Sequence, residues 1–234
     1  MRNIHRNITT TILLICLSLY CNSQTIVKKV TNFRNIKHNI DTLVILPSFV
    51  DIKSIGGDDK LYSDTVFSAK LSDTITYMIK DLLKKKYHLK RISGSKYINT
   101  ITEKEFNKLF DNLDMSVDSI PHIEFPDSIF QTNDNRSRYC LFTVCNGVYI
   151  SAEKRKKDIK EALPTTIAVG ILSLGTVICI PANLANLTMR IILYDRVDKR
   201  VIYYKADMMP AFNKVDFYLI NQFVLNNFKT IYCK

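Results

Sequence analysis

The chain has 234 residues, 47% of them apolar and 24% charged, and 33 Lys and Arg against 22 Asp and Glu give a net charge of +11. That length and balance suit one α/β domain with a buried core, or at most two small ones, and exclude a disordered, collagen-like or low-complexity chain. The basic excess favours acidic surfaces, anionic lipid or glycan above all.

Arg2 and Arg6 precede an apolar run at 12–19, and Tyr20, Cys21, Asn22, Ser23 and Gln24 follow it. A basic start, a short apolar stretch and a small residue before a polar chain form a secretory signal peptide, here 1–23. The run is shorter than the roughly 20 apolar residues of a membrane span. The chain is therefore expected to be exported, to the periplasm or cell envelope, and nucleic acid is not an expected partner. Losing Arg2 and Arg6 takes the charge from +11 to +9. Three fates stay open. Cys21 and Ser23 supply small residues at the third and first positions before a cut that leaves Gln24 first. Lipidation of Cys21 would anchor the chain to a membrane, although Tyr20 stands where lipoproteins carry a small residue. The segment could also stay as an uncleaved anchor.

Residues 24–40 are basic (Lys28, Lys29, Arg34, Lys37) and read as an extended lead-in with an edge strand. A single domain is expected over 41–234. The continuous apolar run 42–46, ended by Pro47, reads as a strand buried on both faces, and 49–52 continues it loosely. Residues 55–59, with Gly56 and Gly57, are a turn. Ser63 or Asp64 can cap a helix whose apolar stripe is Leu71, Ile75, Met78, Ile79, Leu82 and Leu83, closed by Lys84, Lys85 and Lys86 where cations suit the helix dipole. A second strand is expected at 87–92. Thr102 and Glu105 form a capping box before Phe106, Leu109, Phe110 and Leu113, a short helix. Residues 114–137, with Pro121 and Pro126, read as a long surface loop.

The segment 139–151 reads as a central strand, and 187–194 and 201–205 as the arms of a β-hairpin turning at 195–200. A last helix starts near Asn213 and Asp216 and turns Phe217, Ile220, Phe223, Val224, Phe228 and Ile231 inward. Cys140 and Cys145 share one strand, about 16 Å apart, so they cannot pair with each other. Either could pair with Cys179 or Cys233 in an oxidising compartment, and the bland reading is that they are buried apolar thiols.

Between Pro164 and Pro181 no charge interrupts the chain, and Lys154, Arg155, Lys156, Lys157 and Lys160 stand just before it. Its length argues against a span, and so does a basic cluster on the exported side. The segment is expected to be buried or to face a partner. The candidate contacts are Lys154, Arg155, Lys156, Lys157 and Lys160 together with Ile167, Ile171, Leu174 and Ile178. Lys154 to Lys157 read first as a solvated helix start, with contact to anionic headgroups as the alternative.

No catalytic constellation is visible. His5, His38, His88 and His122 lack metal-ligand spacing, and no nucleophile elbow, phosphate loop or dinucleotide fingerprint occurs. Gly56, Gly57, Asp58 and Asp59 match part of a nucleotide-cyclase signature whose Glu-Phe is absent, and read as a plain turn. No enzyme activity, metal or cofactor is expected.

Strand 43–46 ending in Pro47, a helix opening at Ser63, and a late hairpin with Asp195 at its strand end resemble bacterial envelope proteins of the curli-secretion lipoprotein and TolB N-terminal-domain type. The resemblance covers about half of the exported chain and implies a fold more than an activity. The expected fold is α/β (α+β): a single mixed β-sheet packed by helices, with a late β-hairpin and a C-terminal helix. The expected function is that of a non-enzymatic envelope protein that binds another envelope component or itself. The alternative is a binding module for an anionic glycan or lipid headgroup.

Overall fold

The computed structural model describes residues 25–84, 87–91, 110–114, 120, 123, 125, 137–172, 185–210 and 217–232, with backbone alone at 88–91, 163–172, 230 and 232. The signal segment with Cys21, and Leu174, Ile178, Cys179 and Cys233, lie outside these residues. The elements are β1 (Ile26–Lys29), α1 (Phe33–Asn39), β2 (Thr42–Ile45), β3 (Phe49–Ile55), β4 (Leu61–Ser63), α2 (Thr65–Leu83), β5 (His88–Arg91), β6 (Tyr139–Ile150), α3 (Ala152–Leu172), β7 (Asn186–Asp195), β8 (Arg200–Pro210) and α4 (Phe217–Tyr232). They build one mixed sheet of eight strands, packed by helices and carrying the expected late hairpin, β7–β8, and C-terminal helix.

The sheet is organised around β6, whose apolar and β-branched run pairs with β7 from Tyr139 to Val148 and is buried on both faces from Cys140 to Cys145. The other edge of β6 is shared: β2 runs parallel to its first part and β3 parallel to the rest. Ile45 pairs with Leu141 and Phe49 with Val144, four steps against three. The extra residue is a bulge at Pro47-Ser48, where proline supplies no N–H to the ladder. So 42–55 is one strand line with a break, as the loose continuation at 49–52 suggested.

Helix α2 covers that break with a stripe of hydroxyls. Ser48 N–H donates to Thr76 Oγ1 at 2.9 Å and Ile52 N–H to Ser68 Oγ at 2.9 Å, while Ser72 donates to the Ser48 carbonyl. Backbone groups left unpaired at the bulge, and at Ile52 just beyond the reach of β4, would otherwise be buried without partners. Asp64 caps the helix, accepting from Phe67 N–H at 3.0 Å and from the Tyr149 hydroxyl at 2.7 Å.

Two apolar layers enclose the sheet. Phe67, Leu71, Ile75, Ile79 and Leu83 of α2 and Ile220, Val224, Phe228 and Ile231 of α4 meet Leu187, Met189, Ile191 and Leu193 on one face. The other face carries Cys140, Phe142, Ile192, Tyr194 and Tyr204 under Phe110, Leu113, Ile123 and Phe125. Two expectations need correction. Residues 33–39 are helix, not extended chain, because Phe33 stacks on Tyr203 with ring centroids 4.9 Å apart. The region 114–137 is not only surface loop: Ile123 and Phe125 are buried, and Phe125 meets Phe142 and Tyr194 edge-on at 4.8 and 5.1 Å. A helical stretch at 110–114 carries Phe110 and Leu113 of the expected short helix, while the capping box at Thr102 and Glu105 lies outside the described residues.

Candidate functional site

Helix α3 runs unbroken through the basic cluster and into the apolar run, past Pro164 and up to Leu172. Ser151 caps it, its Oγ accepting from Lys154 N–H at 3.1 Å. From Ala152 to Ala162 no residue is buried. No helix among the described residues is long and apolar enough to cross a membrane.

The base of α3 is clamped by the turn between β3 and β4. Asp59 sits there in the left-handed region at φ 64°, a conformation that Asp tolerates better than most residues. Its carboxylate meets Lys154 Nζ at 2.5 Å and Lys157 Nζ at 3.2 Å. Lys157 also donates to the Gly57 carbonyl at 3.1 Å, and Lys154 pairs with Asp158 at 2.6 Å. Hydrogen bonds from these two lysines, Lys154 first, hold the Asp59 carboxyl below its ordinary range. The hydrogen bonds that Lys154 donates to Asp158 and Asp59 raise its ammonium. The basic cluster therefore divides. Lys154 and Lys157 are spent on the protein itself. Arg155, Lys156 and Lys160 are exposed with no ion pair among the described residues, beside Ile159, 55% exposed. Ile167 and Ile171 lie within α3.

An open cleft of about 610 Å³ lies beside the clamp, lined by Ser54, Gly56, Gly57, Asp58, Tyr62 and Glu153 among others. The Tyr62 hydroxyl donates to Asp58 at 2.7 Å and holds that carboxyl below its ordinary range. No nucleophile and base meet in it, and no group of metal-ligating side chains occurs among the described residues. The Gly-Gly-Asp-Asp turn is thus the docking point of α3, a role that spacing alone could not reveal.

Two charged groups elsewhere are structural. Asp195, only 1% exposed, receives Arg138 Nε at 2.8 Å and Nη2 at 2.7 Å, and the N–H groups of Val197 and Asp198 at 3.0 and 3.2 Å. It closes the β7–β8 turn. Asp114 receives Arg190 at 3.1 Å and the Tyr204 hydroxyl, while Lys28 donates to the carbonyl of Leu113. This ties the helical stretch to the sheet. Cys140 and Cys145 are free and buried, and burial pushes the Cys140 thiol up to about 12. Neither is poised as a nucleophile.

No protein-family model matches the chain, and no curated protein matches it. Among solved structures the chain is similar to the PelC dodecamer from Paraburkholderia phytofirmans, with 8% identity over 90% of this chain and 99% of that one and a TM-score of 0.34. It is similar also to a methionine-substituted variant of that dodecamer, with 7% identity over 91% and 99% and the same TM-score of 0.34. Likenesses this distant assign no family.

Proposed function

We propose that this is a non-enzymatic, exported cell-envelope protein, an assembly domain whose contact element is α3 with the apolar run that it leads into. The observation that carries the reading is that no residue of α3 is fully buried over its first three turns, where the domain covers only its clamp side, although both faces of the sheet already have their cover. A helix held on one side by ion pairs and exposed at Arg155, Lys156, Ile159 and Lys160 is placed to meet something else. The apolar residues that follow would be costly to leave in water, since patches of that size are rarely bare. Deleting residues 165–180 should abolish assembly of the envelope-derived protein while leaving its far-ultraviolet circular dichroism sheet signal intact. An unchanged oligomeric state by light scattering would refute the reading.

A second reading rests on Arg155, Lys156 and Lys160, the exposed cations that the clamp leaves over. They would hold an anionic glycan or lipid headgroup. Replacing the three by Gln should remove binding that weakens steeply with salt. Salt-insensitive binding would dismiss it. The intact mass of the natural protein decides the anchoring: a start at Gln24 means free export, and an acylated Cys21 means attachment.

A further inference from the structure

The strand registers define two ends of the sheet. Ile55 pairs with Ile150, Val148 with Asn186, and Asn186 with Pro210, so these residues share one end. Tyr139, Asp195 and Arg200 share the other. At the first end lie the β3–β4 turn, the beginning of α2, the beginning of α3 and the beginning of α4, whose Phe217 meets Phe67 at 6.5 Å and Lys70 at 5.1 Å. The chain also joins the sheet on this side, because β1 is antiparallel to β8 and Thr25 bonds Asp207 at 2.9 Å. Residues 1–24 thus connect to the domain at the end from which α3 leaves.

The same end carries most of the exposed apolar side chains. Among the described residues nine large hydrophobic side chains are exposed, and six of them (Leu61, Tyr62, Val66, Ile159, Tyr218 and Leu219) are here. Of the others, Val27 and Tyr77 lie along the flanks and Val197 lies at the opposite end. The acids at this end are largely engaged: Asp58 by Tyr62 and Lys60, Asp59 by Lys154 and Lys157, and Asp158 by Lys154. Among the described residues, Glu153 and Glu161 remain there against Lys70, Arg155, Lys156 and Lys160.

We infer that this end of the domain docks on an anionic lipid bilayer, with Leu61, Tyr62, Val66, Tyr218 and Leu219 at the interface and Arg155, Lys156 and Lys160 meeting the headgroups. Exposed Tyr and aliphatic side chains ringed by Lys and Arg are the composition that seats at a membrane surface, the ring apolar and the hydroxyl wet. Among the described residues the opposite end exposes one large hydrophobic side chain, Val197, and Arg138, Asp195, Asp198 and Arg200 pair with one another there. The inference rests on the envelope reading and adds an orientation to it. The strands point towards the membrane, and α3 meets its partners at the membrane surface.

The chain contains no Trp, which makes single-tryptophan variants clean reporters. Tyr62→Trp, Leu219→Trp and Val197→Trp would each be made in the full chain. Each would be mixed with vesicles of phosphatidylglycerol and brominated phosphatidylcholine, and with brominated phosphatidylcholine alone. The expected result is blue-shifted, quenched emission for Tyr62→Trp and Leu219→Trp on the anionic vesicles, relieved by salt, with Val197→Trp unchanged. Quenching confined to Val197→Trp, equal in all three, or absent in all three would overturn the inference. Absence in all three while the chain still co-sediments would locate binding in the leader or the apolar run. If a Leu61→Glu/Leu219→Glu variant instead changed the oligomeric state without vesicles, this end would be a contact between copies. The assembly reading is scored separately by the 165–180 deletion without lipid, so either idea can fail alone.

Discussion

Helices α2 and α3 are nearly equal in length, 19 and 21 residues, and start at the same end of the sheet, yet they relate to it in opposite ways. Seven residues of α2 are buried, whereas α3 buries none before Leu163. The cause is in the order of their residues. In α2, Phe67, Leu71, Ile75 and Ile79 recur every four residues and Ser68, Ser72 and Thr76 do the same, so one side carries oil and hydrogen bonds to the sheet together. In α3, Glu153, Lys154, Arg155, Lys156, Lys157, Asp158, Lys160 and Glu161 place charge on every side. A stretch of helix that is polar all round, as this one is before Leu163, finds nothing to bury and is held by ion pairs or by another molecule.

The sharpest test of that contrast is a pair of matched truncations. Ile75, fully buried on the inner side of α2, should cost about 2–5 kcal/mol as Ile75→Ala, the range for a large-to-small change in a packed core. Ile159, 55% exposed on α3, should cost no more than about 0.5 kcal/mol as Ile159→Ala. Urea denaturation of both variants checks this. Equal losses would mean that α3 is packed after all. A smaller effect is expected beneath α2. A Cβ on Gly147 would stand 2.8 Å from Ile52 Cδ1 and 2.9 Å from Leu187 Cδ1, in the layer that α2 covers. Gly147→Ala should therefore cost about 1–3 kcal/mol through overpacking. A neutral result in the same titration would show that the two side chains turn aside freely.

The contrast also marks what the bare chain could tell. Strands β6, β7 and β8 and helices α2 and α4 were legible because each carries a long apolar period. The α1 helix was not: Phe33 and Ile36 are its only apolar anchors before Ile40, and what fixes it is Tyr203, 170 positions away. The cover of the second face was hidden for the same reason, since Ile123 and Phe125 are single apolar residues in a proline-flanked polar stretch. The hydroxyl stripe of α2 reads as solvent-facing until the bulge at Ser48 supplies its partners. At the candidate site, the basic cluster and the apolar run were visible from composition. The division of that cluster was not, because Asp59 and Lys154 lie far apart in sequence and meet only through the β3–β4 turn.

Acid and alkali should act on the two regions separately. In the sheet layers, burial raises the Cys140 thiol from 9.0 to about 12 and the Tyr87 phenol from 10.0 to about 12. Stability is full below the unfolded values and declines as pH rises from about 9 towards 12, because the unfolded chain ionises first. Lys205 and Lys28, whose ammonium groups burial lowers, titrate in the opposite sense and blunt the decline. The α3 clamp responds at the other extreme. Asp59 is held below its ordinary carboxylate value of 3.8, so its contribution is full above that value and fades as pH falls through the lowered one. Thermal melting should register the alkaline loss, and amide exchange in α3 the acid one. Exchange in α3 that tracks global unfolding at low pH would contradict the separation.

The smallest expected effect on the fold is the most informative about α3. Asp59→Asn removes the negative charge shared by Lys154 and Lys157 but keeps the residue type that best tolerates the left-handed turn. Because Asp59 and Lys157 are exposed and their charges screened, the melting temperature should stay within experimental error. Locally the consequence should be large. Lys154 retains Asp158, and Lys157 retains the Gly57 carbonyl, but the two ion pairs that join the helix to the turn are replaced by at most one neutral hydrogen bond to the Asn carbonyl oxygen. Amide exchange should therefore accelerate over residues 153–162 while α2 keeps its protection, as read by hydrogen–deuterium exchange with mass spectrometry. Should α2 and α3 lose protection together, α3 would belong to the core unit, and the division between a helix held by burial and a helix held by charge would collapse. Should neither change, something other than Asp59 holds α3 to the domain, and the apolar run beyond Pro164 would be the first place to look.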